Sequence, residues 1–197
     1  MIVKICGLQT PEAILAADAA NYTGFVMGSP RSSRNISEGD FNKLRKLVHH
    51  SKTVIVTATA ERETLIQIDS LNADVIQLHG ESRKYKHLLS TPYAIACTNN
   101  SFINDQSAEY IVLDSVRNDG YGGSGIVWNW KDFPEIQESD PPILVAGGVS
   151  LDNVDEVMAV TQASGVDLSS SLEIGGVKSP ILIKKLLQKV EKYGKQK

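Results

Sequence analysis

The sequence predicts an α/β protein, with short parallel strands and crossover helices in eight alternating units, and three observations lead there. A short apolar run, a polar or glycine-containing junction and a longer periodic segment recur along the 197 residues. The apolar runs are short and nearly unbroken, which suits strands covered on both faces. Polar and reactive residues collect at the ends of those runs, where a (β/α)8 barrel would open its mouth. Periodicity alone does not demonstrate closure, so an open doubly wound sheet stays in play, but eight units favour the barrel. Such barrels usually take about 250 residues, so this one must have short loops.

The units can be justified in order. Ile2–Cys6 reads as the first strand and 11–20 as its helix, with Thr10 as cap and Pro11 at the first helical position. Strand two is placed at 24–28 and its helix at 37–50, opened by Ser37 and weakened in its first turn by Gly39. Strand three is 53–57 with a helix over 61–70; strand four is 74–78 with a short helix near 83–89. Strand five is Tyr93–Cys97, followed by the weakest helical pattern in the chain. Strand six is 110–114, after which 115–127 is polar and glycine-rich, and a sixth helix would begin near Trp128. Strand seven is 143–146 with a helix over 151–161, strand eight is 166–168, and 180–193 is the final helix. No linker divides the chain, so residues 1–197 are expected to form one domain.

Composition narrows the function classes. A formal net charge of −3 argues against a general nucleic-acid binder, which usually carries a basic patch. The lysines from Lys184 to Lys197 read as a solvated helix face and tail. Two cysteines make no disulfide framework, and nothing resembles a metal-binding cluster. No apolar run reaches membrane-span length, and no signal-peptide pattern precedes Ile2. A cytoplasmic protein, bound neither to membrane nor to nucleic acid, is the expectation.

The strand ends carry the chemistry. Cys6 ends the first strand; it is either a small buried hydrophobe or, with Lys4 on the same strand face, a thiolate able to take a proton. Asp114 closes strand six, as a turn cap or as a proton donor if burial keeps it protonated. Gly147–Gly148 and Ser169–Ser170 follow strands seven and eight, where barrel enzymes frequently bind phosphate on backbone amides; ordinary helix-entry turns are the alternative. Arg34 in the second loop can clamp a carboxylate or simply be solvated. Gln77, His79 and Asp167 complete the polar set. Trp128 and Trp130 read as core in preference to a cover over the mouth.

Taken together these motifs closely resemble the phosphoribosylanthranilate isomerase family, a TIM-barrel family of tryptophan biosynthesis. The resemblance is carried by Lys4–Leu8, Gly24–Val26, Ser33–Arg34, Val75–Gly80, Val112–Asp114, Gly122–Gly125, Ala146–Gly148 and Val166–Ser170, in order along nearly the whole chain. It departs from the family at Thr57–Thr59, at Ser171 where glycine is usual, and at Lys178–Ser179 where Lys–Asp is common. The resemblance implies a cofactor-free, metal-free Amadori rearrangement of N-(5-phosphoribosyl)anthranilate to the corresponding aminoketose phosphate. It implies Cys6 as general base and Asp114 as general acid. It further implies Arg34 at the substrate carboxylate, Asp167, Gln77 and His79 as polar substrate contacts, and Gly147, Gly148, Ser169 and Ser170 at the phosphate. The partner is then a small phosphosugar–anthranilate molecule, and the sequence leaves monomer and homodimer both open.

Overall fold

The computed structural model describes residues 1–98, 104–114, 130 and 133–193. Eight parallel strands close on themselves in sequence order, so the barrel prevails over the open sheet. They are β1 (Ile2–Cys6), β2 (Tyr22–Val26), β3 (Lys52–Thr57), β4 (Val75–Leu78), β5 (Tyr93–Thr98), β6 (Ile111–Asp114), β7 (Ile143–Val145) and β8 (Gly165–Leu168). Closure is made by β1 against β8, in the register Lys4↔Asp167.

Strand alternation divides the apolar side chains into two packed regions. Tyr22, Val54, Val56, Val75, Ala94, Tyr110, Val112 and Leu144 fill the inside of the barrel, with Cys6, Val26 and Ala146. Val3, Ile5, Phe25, Ile55, Ile76, Val145 and Val166 face outward and meet the helices. Those helices are α1 (Pro11–Ala17), α2 (Glu38–Leu44), α3 (Arg62–Asp69), α4 (Val154–Thr161) and α5 (Pro180–Val190). Ile14, Phe41, Leu65, Val157, Ile183 and Leu186 are their buried contributions. Trp130 is buried in this shell, as its core reading expects; Trp128 lies outside the described residues.

Capping follows the sequence better than length does. Thr10, Ser37 and Ser179 each accept a backbone N–H from the first turn of their helix, and Pro11 and Pro180 stand where a missing N–H costs nothing. The helices are shorter than expected for identifiable reasons. α1 stops at Ala17 because the Asp18 carboxylate turns to accept N–H bonds from His49, His50 and Ser51 at 2.9, 3.0 and 3.2 Å. The second helix tightens after Leu44 into a 3-10 turn over Arg45–Leu47. α4 begins only at Val154, because Asn153 is held by the preceding loop through Ser150 N–H and Gly148 C=O. The segment Gly80–Leu88 is 3-10 throughout.

Strand two is shifted from its expected place: it starts at Tyr22, and Gly28, at φ 62°, already belongs to the loop. The glycine-rich segment after β6 and the start of the sixth helix lie outside the described residues. A small antiparallel hairpin unforeseen in the sequence, β9 (Glu173–Ile174) and β10 (Val177–Lys178), stands between β8 and α5. Among the described residues no helix is long and apolar enough to cross a membrane.

Candidate active site

At the C-terminal ends of the strands lies one cavity, lined in part by Cys6, Arg34, Gln77, His79, Asp114 and Asp167. Gly147, Gly148, Ser169 and Ser170 form another part of its wall, so every site residue expected from sequence opens into the same space. The physical basis is the parity of the strands. Ile2, Lys4 and Cys6 point into the barrel, so the residue that ends β1 reaches its mouth with Lys4 one step beneath.

Lys4 is fully buried and donates to Asp167 Oδ2 at 2.7 Å. Burial alone would drive its proton off, but Asp167 and then Cys6 hold the ammonium above the ordinary lysine value. Burial pushes the Cys6 thiol up. The Lys4 ammonium draws it back down, Asp167 raises it again, and Lys178 opposes Asp167. Burial wins, so the thiolate needs the two lysines to be accessible at all. Asp114 ends β6, half-buried, in register with Thr98 of β5, and faces the same cavity.

On another side of the mouth the groups are neutral. The fully buried Tyr110 hydroxyl donates to Gln77 Oε1 at 3.2 Å, and Gln77 Nε2 lies 2.7 Å from His79 Nε2. With the Gln77 amide nitrogen as donor, the His79 ring accepts at Nε2 and carries its proton on Nδ1. Burial, then Lys4 and Arg83, push the His79 imidazolium down to about 3, so the ring is neutral near pH 7.

The segment after β2 holds Arg34 by local bonds. Its N–H donates to Ser32 Oγ at 3.2 Å, Ser33 C=O accepts from Gln9 at 3.1 Å, and Asn35 Oδ1 accepts from Ser29 N–H at 2.9 Å. Gly7 makes room for the arginine: it sits at φ 80°, and a Cβ there would come within 2.5 Å of Arg34 Cδ. The guanidinium itself meets Glu173, Nε to Oε1 at 2.6 Å and Nη2 to Oε2 at 3.0 Å.

Gly147 and Gly148 adopt φ 76° and 77°, a backbone path that side-chain-bearing residues rarely follow. Opposite them Ser169 donates to Cys6 C=O at 3.2 Å and precedes a 3-10 turn over Ser170–Leu172. Two buried oxygens at this wall have no hydrogen-bond partner in the described structure, Asp167 Oδ1 and Ser171 Oγ. Both residues line the cavity and could receive a ligand's polar groups. Among the described residues, no group of three His, Cys, Asp or Glu side chains could hold a metal ion.

Glu173 was absent from the expected site. Its signal was a Gly175–Gly176 pair between two residue pairs, Glu173–Ile174 and Val177–Lys178, a hairpin pattern written in very few residues.

Comparison with known proteins bears on this geometry. The family described as N-(5'phosphoribosyl)anthranilate (PRA) isomerase matches residues 3–189. An N-(5'-phosphoribosyl)anthranilate isomerase of Streptococcus mutans serotype c is 32% identical over 201 residues, covering 96% of this chain and 98% of its own length. Among solved structures, a phosphoribosyl anthranilate isomerase from Thermus thermophilus is 26% identical with a TM-score of 0.82, covering 98% of this chain and 100% of its own. Its counterpart from Thermotoga maritima is 26% identical with a TM-score of 0.80 and the same coverage.

Proposed function

Because this chain belongs to the N-(5'-phosphoribosyl)anthranilate isomerase family, we propose that Cys6 and Asp114 are the base and the acid of its reaction. The enzyme converts N-(5-phospho-β-D-ribosyl)anthranilate to 1-(2-carboxyphenylamino)-1-deoxy-D-ribulose 5-phosphate by an Amadori rearrangement, an aldose–ketose isomerisation in tryptophan biosynthesis. The observation that carries the residue assignment is that Cys6 and Asp114 open into one cavity with the glycine–serine wall and Arg34.

Asp114 donates its proton to the furanose ring oxygen as the C1–O bond opens, and the aniline nitrogen takes up the positive charge as an iminium. That charge acidifies the proton on C2, which the Cys6 thiolate removes. The enolamine that forms is protonated at C1 and its C2 hydroxyl becomes the ketone. Each step is a proton transfer between placed groups, so the chain's own side chains are sufficient.

Holding the substrate is divided among its ends. Arg34 takes the anthranilate carboxylate. The amides of Gly147, Gly148, Ser169 and Ser170 take the phosphate, with the Ser171 hydroxyl beside them. Asp167 Oδ1, lacking a partner, accepts a sugar hydroxyl, and Gln77 and His79 line the floor between.

The test is isomerisation of freshly made N-(5-phosphoribosyl)anthranilate by the purified protein, followed as loss of anthranilate-type fluorescence with identification of the product. Turnover that disappears in Cys6→Ala and Asp114→Asn, each still folded, is the expected result. Full turnover in either variant removes that residue from the mechanism.

A further inference from the structure

The hairpin β9–β10 is built inside out. Its two-residue turn, Gly175–Gly176, has φ 60° and 81°, both left-handed as a type I′ turn requires. Glu173 pairs with Lys178 and Ile174 with Val177, so alternation puts the two charges on one face and the two aliphatic residues on the other. A surface hairpin ordinarily buries the aliphatic face. Here Ile174 and Val177 are 66% and 50% exposed, whereas Lys178 and Glu173 are 2% and 10% exposed. The buried face is occupied by charge because its contact is Arg34.

The contact is specific in shape. Glu173 takes the Nε–Nη2 edge of the Arg34 guanidinium with both carboxylate oxygens. A guanidinium has a second edge, Nη1–Nη2, that can grip another carboxylate in the same plane. Lys178 binds the same Glu173 carboxylate and lies 3.5 Å from Ser169 Oγ. Two cations therefore surround one anion, and the cluster retains net positive charge for an incoming anion. The backbone beneath Glu173 is fixed at both ends. It follows the 3-10 turn directly, and Ser179 ties the other strand back to Leu172 C=O at 2.8 Å before capping α5.

We propose that Glu173 is a positioning residue: it sets the guanidinium of Arg34 so that the free edge meets the aromatic carboxylate of the substrate, and the hairpin thereby determines preference for a carboxylated aniline. This rests on the assignment of that carboxylate to Arg34.

The experiment compares kcat and KM for N-(5-phosphoribosyl)anthranilate and for N-(5-phosphoribosyl)aniline, which lacks the carboxylate, in the parent protein, E173Q, R34A and the double variant. E173Q is expected to raise KM for the carboxylated substrate about tenfold, with kcat changed less than about threefold and KM for the aniline unchanged. In the R34A background the same change is expected to do nothing further. An equal KM rise for both substrates, a full additional loss on top of R34A, or an unchanged KM overturns the proposal. If R34A itself does not lose discrimination between the two substrates, the assignment of Arg34 fails. If R34A loses it and E173Q does not, only the role of Glu173 fails. Should E173Q fold poorly because Lys178 is left buried without its anion, E173Q K178M is compared with K178M alone, and the same KM rise confined to the carboxylated substrate is expected between those two.

Discussion

Two arcs of one mouth are built in contrasting ways. The arc from β8 through β1 to the Arg34 segment is dense in charge: Lys4 on Asp167, Arg34 and Lys178 on Glu173, with Cys6 among them. The arc at β4 is neutral, a chain from Tyr110 through Gln77 to a His79 that does not hold a proton near pH 7, and Asp114 at the end of β6 lies outside it. The difference assigns them different work. A thiol in a buried site becomes a base only where cations offset its desolvation, and an anionic substrate needs the same cations. A histidine lining the same cavity as the proposed base would compete for protons if its pKa lay near neutrality, and burial, with Lys4 and Arg83, prevents this.

Removing the proposed base and acid should give the largest effect. Cys6→Ala and Asp114→Asn should each lower kcat by roughly 10²–10⁴-fold, the range of one placed acid or base, with the melting temperature little changed. A comparable loss from Gln77→Leu, on the neutral arc, would erase the division between the arcs.

Next in size is the contrast between Lys4→Met and Tyr110→Phe, both of which remove a buried polar contact. The first leaves the Asp167 carboxyl buried without its ion-pair partner, which costs about 3–5 kcal/mol of stability. The second breaks a neutral hydrogen bond and costs about 1–3 kcal/mol. Urea denaturation measures both. Lys4→Met should also move the alkylation of Cys6 by iodoacetamide to higher pH, because the cation that lowers its pKa is gone. Alkylation on the parent's pH profile would mean Lys4 serves only Asp167.

How legible this was depended on the reach of each signal. Cys6, Gln77, Asp114 and Asp167 were readable because strand parity fixes the mouth once the strands are placed. Even there the placement was imperfect: β2 was expected to run on to Gly28, but the strand ends at Val26, and Gly28, left-handed ahead of Ser29–Pro30, is the turn signal that marks the exit. The partner of Lys4 lies 163 residues away, set by barrel closure, which no local pattern contains. Glu173 was missed for the opposite reason, with only the Gly175–Gly176 pair to mark its turn. Strands of two residues are too short for alternation to register, and their inverted burial defeats the rule that charge faces solvent.

A further effect separates the arcs by pH. His79 has an ordinary value of 6.5 and a folded value of about 3, so the fold favours its neutral form. Its contribution to stability is fully present above 6.5 and is lost as pH falls from 6.5 toward 3, where the unfolded chain binds a proton that the folded chain refuses. His79→Asn should flatten that part of the acid limb in urea midpoints measured between pH 7 and pH 4. An unaltered limb would mean that His79 titrates normally.

The smallest effect concerns Ser171, where the family's motif ordinarily has glycine. Its buried hydroxyl lines the cavity beside Ser169 and Ser170 and has no hydrogen-bond partner in the described structure. An orphaned hydroxyl weakens the empty protein, but one that donates to phosphate oxygen strengthens the complex, so the two states should respond to its removal with opposite sign. Ser171→Ala is therefore expected to stabilise the ligand-free protein by up to about 1 kcal/mol and to raise the KM for the phosphorylated substrate about fivefold. Calorimetry on the free protein and steady-state kinetics read the two separately. Stabilisation without a KM change would leave the hydroxyl outside the phosphate site, and a KM change without stabilisation would mean that water already satisfies it in the free protein.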